Sequence, residues 1–264
     1  MTPRAAHDVG RRNGVDDRDA ARSTGVMKNL SVLVLVGAAL VGAGCDPATK
    51  PGVESSADAP MTGAPTAAPA ARSGPIALFN GKDLSGWTQR GGKAVYLVEG
   101  DAIVGETRPK QPNSFLCTDR DYSDFILELD FMVDPEANSG VQIRSESRPE
   151  YKNGVVHGYQ VEIDPGERAW TGGIYDESRR GWLAPLDKNP QAKAAFRQGQ
   201  WNHFRIECRG DHFQTWLNGV ACADLHDSMT PKGFIALQVH GVGDHEATLR
   251  VRWKNLMLTD LSEN

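Results

Sequence analysis

The sequence predicts an all-β domain folded as a sandwich of two antiparallel sheets. From Ile76 to Leu261, short segments alternate apolar and polar side chains, and Gly, Asn and Asp residues separate them. A period of two places one face of each segment on a core, as in a half-buried strand. Only residues 190–197 have a helical pattern, and it is brief. One layered β-domain is therefore the expected architecture.

The first clear strands lie in the middle of the chain. From Phe125 to Val133, apolar residues occupy every second position. The segments from Val141 to Ile143 and from Tyr159 to Ile163 repeat this alternation over shorter lengths. Because strands in globular proteins are usually short, each of these segments is long enough to form one strand of a sheet.

A hairpin is the strongest local prediction. Asn218-Gly219 separates the alternating segments Phe213–Leu217 and Val220–Cys222, and an Asn-Gly pair in this position favours a tight two-residue turn. A Gly210-Asp211 turn joins the hairpin to the segment before it. The remaining predicted strands are 204–208, 233–239 and 249–253.

The first 75 residues have a different composition from the domain. Residues 1–26 are charged and have no hydrophobic period, which predicts a leader that does not fold and that comes from a misplaced start codon. Met27 and Lys28 then precede an apolar run and small residues that end at Gly44. This order is typical of a signal peptide, here residues 27–44, and the run is short for a membrane span.

Cys45 follows the small residues directly. The arrangement resembles the bacterial lipobox, in which the cysteine is lipidated, although Gly42 stands where leucine is usual. Ordinary cleavage after Gly44 is the alternative. Both interpretations predict an exported protein of the periplasm or cell envelope, and lipidation would anchor it in a membrane. Residues 45–75 contain the lipidation site and then a linker rich in Ala and Pro.

Composition limits the class of partner. The net charge is −5, from 29 Lys and Arg against 34 Asp and Glu, which excludes a strongly basic nucleic-acid binder. Hydrophobic residues make up 39% of the chain, enough for a globular core. Residues 76–262 are therefore expected to form one domain. The chain has no C-x-x-C or H-E-x-x-H spacing that would indicate zinc.

One predicted strand carries polar side chains that fit a catalytic site. Gln160, Glu162 and Asp164 occupy alternate positions and point away from the core. Side chains at i and i+2 of a strand lie about 7 Å apart, so the two carboxylates raise each other's proton affinity and can divide acid and base roles. The alternative is an ordinary solvated strand face, because Glu128 and Asp130 show the same alternation.

A loop rich in aromatic and charged residues follows this strand. Between Ala169 and Leu183 it contains Tyr175, Glu177, Arg179 and Trp182. Aromatic faces stack on sugar rings, and arginines and carboxylates bind hydroxyl groups, so this loop is a candidate carbohydrate contact. A loop that packs on itself through Arg–Trp contacts is the alternative.

Three more residues are candidates from their place on a strand. Arg144 is expected to share the polar face with Gln142, and Gln238 shares a face with His240 near a strand end. His240 is a candidate proton donor because imidazole titrates near neutral pH. A purely structural histidine is the alternative.

The segment Leu78–Trp87 (LFNGKDLSGW) resembles the opening signature of the 3-keto-disaccharide hydrolase domain family. The resemblance covers about residues 76–262, and it implies a concanavalin A-like lectin/glucanase jelly roll in a secreted or lipid-anchored bacterial protein. The other matching segments are 98–101, 138–141, 158–164, 171–175, 201–202, 216–219 and 233–240.

The resemblance implies an enzyme that cleaves the glycosidic bond of 3-keto-glycosides. A ketone at C3 acidifies the hydrogen on C2, so a base can remove it, the C1 substituent leaves, and water adds. In this interpretation Glu162 or Asp164 is the base, and His240 is the acid. The residues expected to bind substrate are Arg144, Gln160, Tyr175, Glu177, Arg179, Trp182 and Gln238.

Two other functions remain open from the sequence: a non-catalytic, lectin-like carbohydrate-binding module at the cell envelope, and a structural domain displayed there. The cofactor is also open. A divalent metal ion is one option, with Glu162, Asp164 and His240 as its candidate ligands. The expected partners are a carbohydrate ligand or 3-keto-glycoside, and a membrane through Cys45.

Overall fold

The computed structural model describes residues 74–262. The predicted leader, signal peptide and lipidated Cys45, with nearly all of the linker, lie outside the described residues. No helix in the described part of the chain has the length and apolar character needed to cross a membrane.

Residues 74–262 form fifteen strands and one short helix. The first seven strands are β1 (Ile76–Ala77), β2 (Trp87–Gly91), β3 (Val95–Glu99), β4 (Ala102–Glu106), β5 (Ser114–Tyr122), β6 (Phe125–Val133) and β7 (Ser139–Glu146). The next three are β8 (His157–Ile163), β9 (Ile174–Glu177) and β10 (Gly181–Ala184), and they precede α1 (Pro190–Lys193). The last five are β11 (Asn202–Arg209), β12 (His212–Leu217), β13 (Val220–His226), β14 (Gly233–Val239) and β15 (Arg250–Asp260).

The strands form two antiparallel sheets, as the sequence predicts. The eight-stranded sheet has the order β13-β12-β11-β6-β15-β4-β3, and β1 pairs with β15 outside this path. The seven-stranded sheet has the order β10-β9-β8-β7-β14-β5-β2. Consecutive strands pair in β11-β12-β13, in β3-β4 and in β7-β8-β9-β10. The pairings that β5, β6, β14 and β15 add join strands distant in sequence, and these depend on the shared core.

The core lies between the two sheets and consists of the apolar set of each alternating strand. Phe131 of β6 and Phe204 of β11 pack with ring centroids 4.5 Å apart on the eight-stranded side. The seven-stranded sheet contributes Val161 and Ile163 of β8 and Leu237 of β14, all fully buried. Burial of each such side chain contributes about 1.5–3 kcal/mol, which fixes which face of each strand points inward.

Three parts of the chain differ from the sequence prediction. The predicted loop between Ala169 and Leu183 contains strand β9 and most of strand β10, which pair with each other. The helix is shorter than 190–197: it begins after Asn189, whose side chain accepts a hydrogen bond from the Ala192 amide, and it ends at Lys193. Strand β5 has no alternation to detect, because its first five residues are all buried. Both faces of that segment are covered, and a period of two therefore disappears from its sequence.

A β-bulge changes the direction of one predicted site residue. On β7, Ile143 pairs with Tyr159 and Glu146 with His157, so β7 has one extra residue, and Arg144 adopts a φ of 45°. The extra residue turns the side chain of Arg144 away from the face that holds Gln142.

Arg144 is instead buried at the end of the sandwich. Its guanidinium donates to the carbonyls of Ser123 and Gly210, forms an ion pair of 2.9 Å with Asp124, and lies 4.9 Å from the ring of Phe213. The prediction that Arg144 shares the polar face with Gln142 is therefore wrong.

Candidate functional site

The outward face of the seven-stranded sheet holds a set of polar side chains that is almost completely buried. Gln142 and Gln238 have no exposed surface, and Gln160 and Glu162 are 2% and 4% exposed. An apolar cluster adjoins them on the same sheet, formed by Phe115, Cys117, Val156, Phe234 and Ala236. The alternative of a solvated strand face is therefore wrong here. We call Gln142, Gln160, Glu162, Glu177 and Gln238 the polar face.

A chain of hydrogen bonds fixes the first part of the polar face. Ser145 Oγ donates to Gln142 Oε1 at 2.7 Å, and Gln142 Nε2 donates to Gln160 Oε1 at 2.7 Å. Gln160 Nε2 then donates to Glu162 Oε2, and Asn138 Nδ2 donates to Glu162 Oε1, both at 2.8 Å. Each group is satisfied by its neighbour, as a buried polar network requires.

Arg168 joins the two carboxylates that the sequence singled out. Its Nε donates to Asp164 Oδ2 at 2.7 Å, and a terminal nitrogen lies 3.5 Å from Glu162 Oε1. Burial raises the pKa of Glu162, while the hydrogen bonds from Asn138 and Gln160 and the charge of Arg168 oppose the shift. The oxygens of both carboxylates thus already accept protein donors.

An aromatic wall borders the polar face. We use this term for Trp170, Tyr175 and Trp182. Trp182 packs edge-to-face on Trp170 and on Tyr175, with centroids 4.7 Å and 5.2 Å apart. Trp182 pairs with Tyr175 across β10 and β9, and Tyr175 pairs with Gln160 on β8. The three rings are half-buried, so part of each surface is available to a ligand.

The Arg168 guanidinium lies 4.8 Å from the Trp182 ring and 5.1 Å from the Trp170 ring. Its side chain is 44% exposed, so a cation held by two carboxylates and two tryptophans reaches the surface of the site. Arg168 could not be recognised as a site residue from the sequence. The only signal was its spacing of four residues from Asp164, which is too common to identify a site.

A second cluster on the polar face surrounds Glu177. Gln238 Nε2 lies 3.4 Å from Glu177 Oε2, and Ser178 Oγ donates to Glu177 Oε1 at 3.2 Å. Burial raises the pKa of Glu177, and Ser178, the nearby charge of His240 and Asn113 oppose the shift. These hydrogen bonds are longer than those of Glu162, and Glu177 is half-buried rather than buried.

His240 and Gln238 complete this second cluster. His240 is exposed, and its Nδ1 lies 2.8 Å from the carbonyl oxygen of Gly241, whose amide donates to Asn113 Oδ1 at 2.9 Å. Gln238 Oε1 is buried and has no hydrogen-bond partner among the described residues. A buried acceptor without a donor is costly, so this oxygen is suited to a donor that arrives with a ligand or with water.

Gly140 lies between the group around Glu162 and the group around Glu177 and Gln238. Gln238 of β14 and Glu162 of β8 both pair with Gly140 of β7, so they stand in one row about 10 Å apart, at ~4.8 Å per strand. A Cβ atom on Gly140 would lie 2.5 Å from Gln160 Cδ. The side chain of Gln160 therefore occupies the space above Gly140, and a larger residue at 140 would displace it.

Arg179 does not contribute to this face. Strand β9 points Tyr175 and Glu177 outward and Asp176 inward, where Asp176 is fully buried. Arg179 Nε donates to Asp176 Oδ1 at 2.7 Å, and another nitrogen donates to Thr230 Oγ1 at 2.6 Å. The structure thus assigns Arg179 to a buried ion pair, and the prediction that it joins the loop's carbohydrate contacts is not supported by its position.

The candidate metal ligands from the sequence do not form a metal site. Among residues 74–262, the ligand atoms of Glu162, Asp164 and His240 do not converge on one point. Arg168 already places a cation against both carboxylates, and Asn138 and Gln160 donate to Glu162. This donor set does not fit a divalent ion.

Comparison with known sequences gives one family. The model of the 3-keto-alpha-glucoside-1,2-lyase-like domain matches residues 74–259, which is nearly all of the described β-sandwich. None of the curated protein sequences compared with the chain matches it.

Solved structures resemble the fold at low identity. A protein of Parabacteroides distasonis ATCC 8503, provisionally described as a glycosyl hydrolase, is 19% identical, covers 72% of this chain and 94% of its own, and has a TM-score of 0.51. A Bacillus subtilis protein of unknown function with a galectin-like fold is 11% identical, with coverage of 72% and 97% and a TM-score of 0.51. The Bacillus subtilis carbohydrate-binding module CBM66 is 20% identical, with coverage of 66% and 95% and a TM-score of 0.44. The first two likenesses support the predicted concanavalin A-like jelly-roll sandwich.

Proposed function

The chain belongs to the 3-keto-alpha-glucoside-1,2-lyase-like domain family, and from this we propose that it cleaves the glycosidic bond of 3-keto-glycosides by removal of the C2 proton, elimination and hydration. The family relates the chain to carbohydrate. The reaction and the residues that perform it are our proposal.

The proposal is supported mainly by the side chains that the polar face brings together. Glu162 and Glu177 are carboxyl groups whose pKa is raised by burial, and they stand on one sheet face with the exposed His240 and the aromatic wall beside them. Removal of a proton next to a ketone requires a base of raised proton affinity, an electrostatic partner for the enolate oxygen, and an acid for the leaving group.

We assign the base to Glu177 rather than to Glu162 or Asp164. A general base must reach the proton that it abstracts. Glu162 and Asp164 are buried, and their oxygens accept hydrogen bonds from Asn138, Gln160 and Arg168. Glu177 is half-buried, has longer hydrogen bonds and lies near His240.

Glu177 takes the C2 proton of the keto-sugar, and the electron pair of that bond forms an enolate with the C3 ketone. The enolate re-forms the ketone and expels the C1 substituent, which leaves a C1=C2 double bond, and His240 gives a proton to the departing oxygen. Water then adds its hydroxyl to C1 and a solvent proton to C2, for a net hydrolysis. The proton on Glu177 passes through solvent to His240, so both groups return to their starting states.

The remaining residues position the sugar. Arg168 is the cation available for the enolate oxygen, because Glu162 and Asp164 hold it in place while its side chain stays exposed. Trp182 and Tyr175 offer ring faces for stacking. Gln238 orients Glu177 through its Nε2 donor, and Gln160 donates to Glu162.

The decisive experiment incubates the protein with a 3-keto-glucoside in deuterated water and follows the sugar by NMR. We expect loss of the keto-glucoside and early appearance of 3-keto-glucose with deuterium at C2. Free 3-keto-glucose incubated alone gives the background exchange at C2. Early product whose deuterium content at C2 does not exceed that background would reject the elimination route.

The matched substrate control is the parent glucoside with a hydroxyl group at C3. Its C2 hydrogen is not acidified by a ketone, so we expect no glycoside cleavage. Equal cleavage of both substrates would point to ordinary glycoside hydrolysis and would reject the proposal.

The second candidate function is a non-catalytic carbohydrate-binding module, and the aromatic wall favours it. Three half-buried rings beside a network of amide groups suit a sugar without requiring any proton transfer. Saturable binding of a keto-sugar with no turnover under the conditions above would select this alternative.

We further propose that the chain is exported to the periplasm or cell envelope and lipidated on Cys45, a hypothesis that depends on the sequence pattern alone. Cys45→Ala should then move the protein from the membrane fraction to the soluble fraction. An unchanged distribution would favour ordinary cleavage and another mode of retention.

A further inference from the structure

We propose that the hairpin of β12 and β13 carries a site for a divalent transition-metal ion of the Zn²⁺ class, formed by His212, Asp224 and His226. The ligand atoms of these three residues all lie within 4.8 Å of one another. The hairpin belongs to the eight-stranded sheet, and this site is separate from the polar face.

The hairpin register brings the three residues together. His212 pairs with His226 across the two strands, and Gln214 pairs with Asp224. Phe213 is fully buried, so its neighbours His212 and Gln214 point outward from the sheet, as the strand alternation requires. The two imidazole rings lie parallel, 4.2 Å apart with an interplanar angle of 6°.

Carboxylates flank both imidazoles. Asp224 Oδ1 lies 2.8 Å from His212 Nε2, and Asp211 Oδ1 lies 3.1 Å from His226 Nδ1. Gln214 Nε2 donates to the other oxygen of Asp224 at 2.8 Å, which fixes the carboxylate beside the two rings. A carboxylate that holds Nδ1 of His226 leaves Nε2 free for a metal, the arrangement found around histidine ligands in metal sites.

The donor chemistry selects the class of ion. Two imidazoles and one carboxylate suit Zn²⁺, Cu²⁺, Ni²⁺ or Co²⁺, whereas Ca²⁺ and Mg²⁺ prefer oxygen ligands alone. Three protein ligands leave the fourth tetrahedral position of Zn²⁺ to water. The bound ion would connect β13, at the edge of its sheet, to β12 through side chains as well as backbone hydrogen bonds.

The ligands are accessible, and nearby positive charge is neutralised. The side chains of His212, Asp224 and His226 are 32%, 63% and 63% exposed, so small side-chain rotations can bring their atoms to bonding distance. The nearest cation by register is Arg209 of β11, which pairs with His212. Its guanidinium already forms an ion pair with Glu207.

The test is a titration of the full chain, purified without a histidine tag, with Zn²⁺ by calorimetry and with Co²⁺ by its visible absorption. We expect one ion per chain. His212→Ala and His226→Ala should each weaken binding at least about tenfold, and Asp224→Asn should weaken it less. His203→Ala is the matched control, because His203 is an exposed histidine beside Asp130 and Glu128 on the same sheet, and it should bind as the wild type does.

Three outcomes would overturn the proposal: no binding by the wild type, unchanged affinity in both histidine variants, or an equal loss in His203→Ala. The far-ultraviolet circular dichroism of each metal-free variant checks its fold. If an alanine variant is misfolded, His226→Gln replaces it, and NMR of the wild type reports whether Co²⁺ broadens the ring signals of His212 and His226.

Discussion

The outward faces of the two sheets differ sharply, although their strands alternate in the same way. On the eight-stranded sheet, Glu128 and His203 have side chains that are 45% and 46% exposed, and their ion pairs lie at the surface. On the seven-stranded sheet, Glu162 and Gln238 are nearly inaccessible. Glu162 contacts two amides and a guanidinium, and Gln238 contacts the carboxylate of Glu177. At these positions the eight-stranded sheet presents solvated surface, whereas the seven-stranded sheet presents a buried polar network.

The difference comes from what covers each sheet. The segment that ends at Val156 packs an apolar side chain on Phe115 and Phe234 of the seven-stranded sheet, and the residues after β8 place Arg168 against Glu162. A carboxylate in a covered face loses water, which raises its proton affinity. The chemistry of a strand residue therefore depends on the loops that cover it as much as on its place in the strand.

The largest effect is expected for catalysis. Glu177→Gln removes the proposed base while it preserves the size of the side chain, and it should lower kcat/KM for a 3-keto-glucoside about 10²–10⁴-fold. The matched control is Glu128→Gln on the eight-stranded sheet, which should leave kcat/KM unchanged. Full activity of Glu177→Gln, with loss in Glu162→Gln instead, would return the role of base to Glu162.

A smaller effect is expected for stability. Glu162→Gln replaces one acceptor oxygen by a donor that faces Asn138 or Gln160, and it removes an anion from Arg168. We expect a loss of about 1–3 kcal/mol in the free energy of unfolding, measured with urea. Glu128→Gln should change it by less than about 0.5 kcal/mol, because its ion pairs are exposed. Equal losses in the free energy of unfolding for both variants would show that the two faces do not differ in this respect.

Removal of a ring that stacks on the ligand is expected to change KM and not kcat. Trp182→Ala removes a ring of the aromatic wall and should raise KM about tenfold with little change in kcat, since a stacked ring contributes about 1–1.5 kcal/mol. Trp216→Ala, on the other sheet beside Arg205, should leave both constants unchanged. A fall in kcat alone for Trp182→Ala would indicate that the wall orients the catalytic groups rather than the sugar.

The smallest expected effect concerns the pH dependence of stability, to which Glu162 and Glu207 should contribute with opposite signs. Burial raises the pKa of Glu162 in the folded protein, so its contribution to stability is present below its unfolded pKa and is lost as the pH rises through the folded value. At Glu207, burial opposes the shift, but Arg209 and Arg205 keep the pKa below its usual value. Its contribution is present above the unfolded pKa and is lost as the pH falls.

Urea unfolding at several acidic to neutral pH values checks this sign. The stability difference between wild type and Glu162→Gln should shrink as the pH rises. The difference between wild type and Glu207→Gln should shrink as the pH falls. Two differences that change in the same direction would show that burial and ion pairing do not separate the two faces.

Much of the fold could be predicted from the sequence, because alternation and turn residues are local signals. The strands over 125–133, 159–163 and 233–239 and the hairpin at Asn218-Gly219 are confirmed. Strand β5 could not be predicted in this way, since covered faces on both sides remove the alternation that would mark it.

The site was only partly predictable. The residues Gln160, Glu162, Tyr175, Glu177, Trp182 and Gln238 do lie on or beside one outward face, as their positions on alternating strands indicate. Arg144 does not, because a single extra residue in β7 turns it to the other side. Arg168 and Asn113 reach the site from segments outside the strands, where no periodic pattern reports direction.

The sequence by itself determined the strand periodicity, the two-sheet architecture and the family, since each depends on local residue order. Only the tertiary structure decided which polar face is buried, which arginine serves it, and that the rings of His212 and His226 stack across a hairpin. The physical reason is that desolvation and charge pairing depend on what packs above a residue, and the residues above it come from distant parts of the chain.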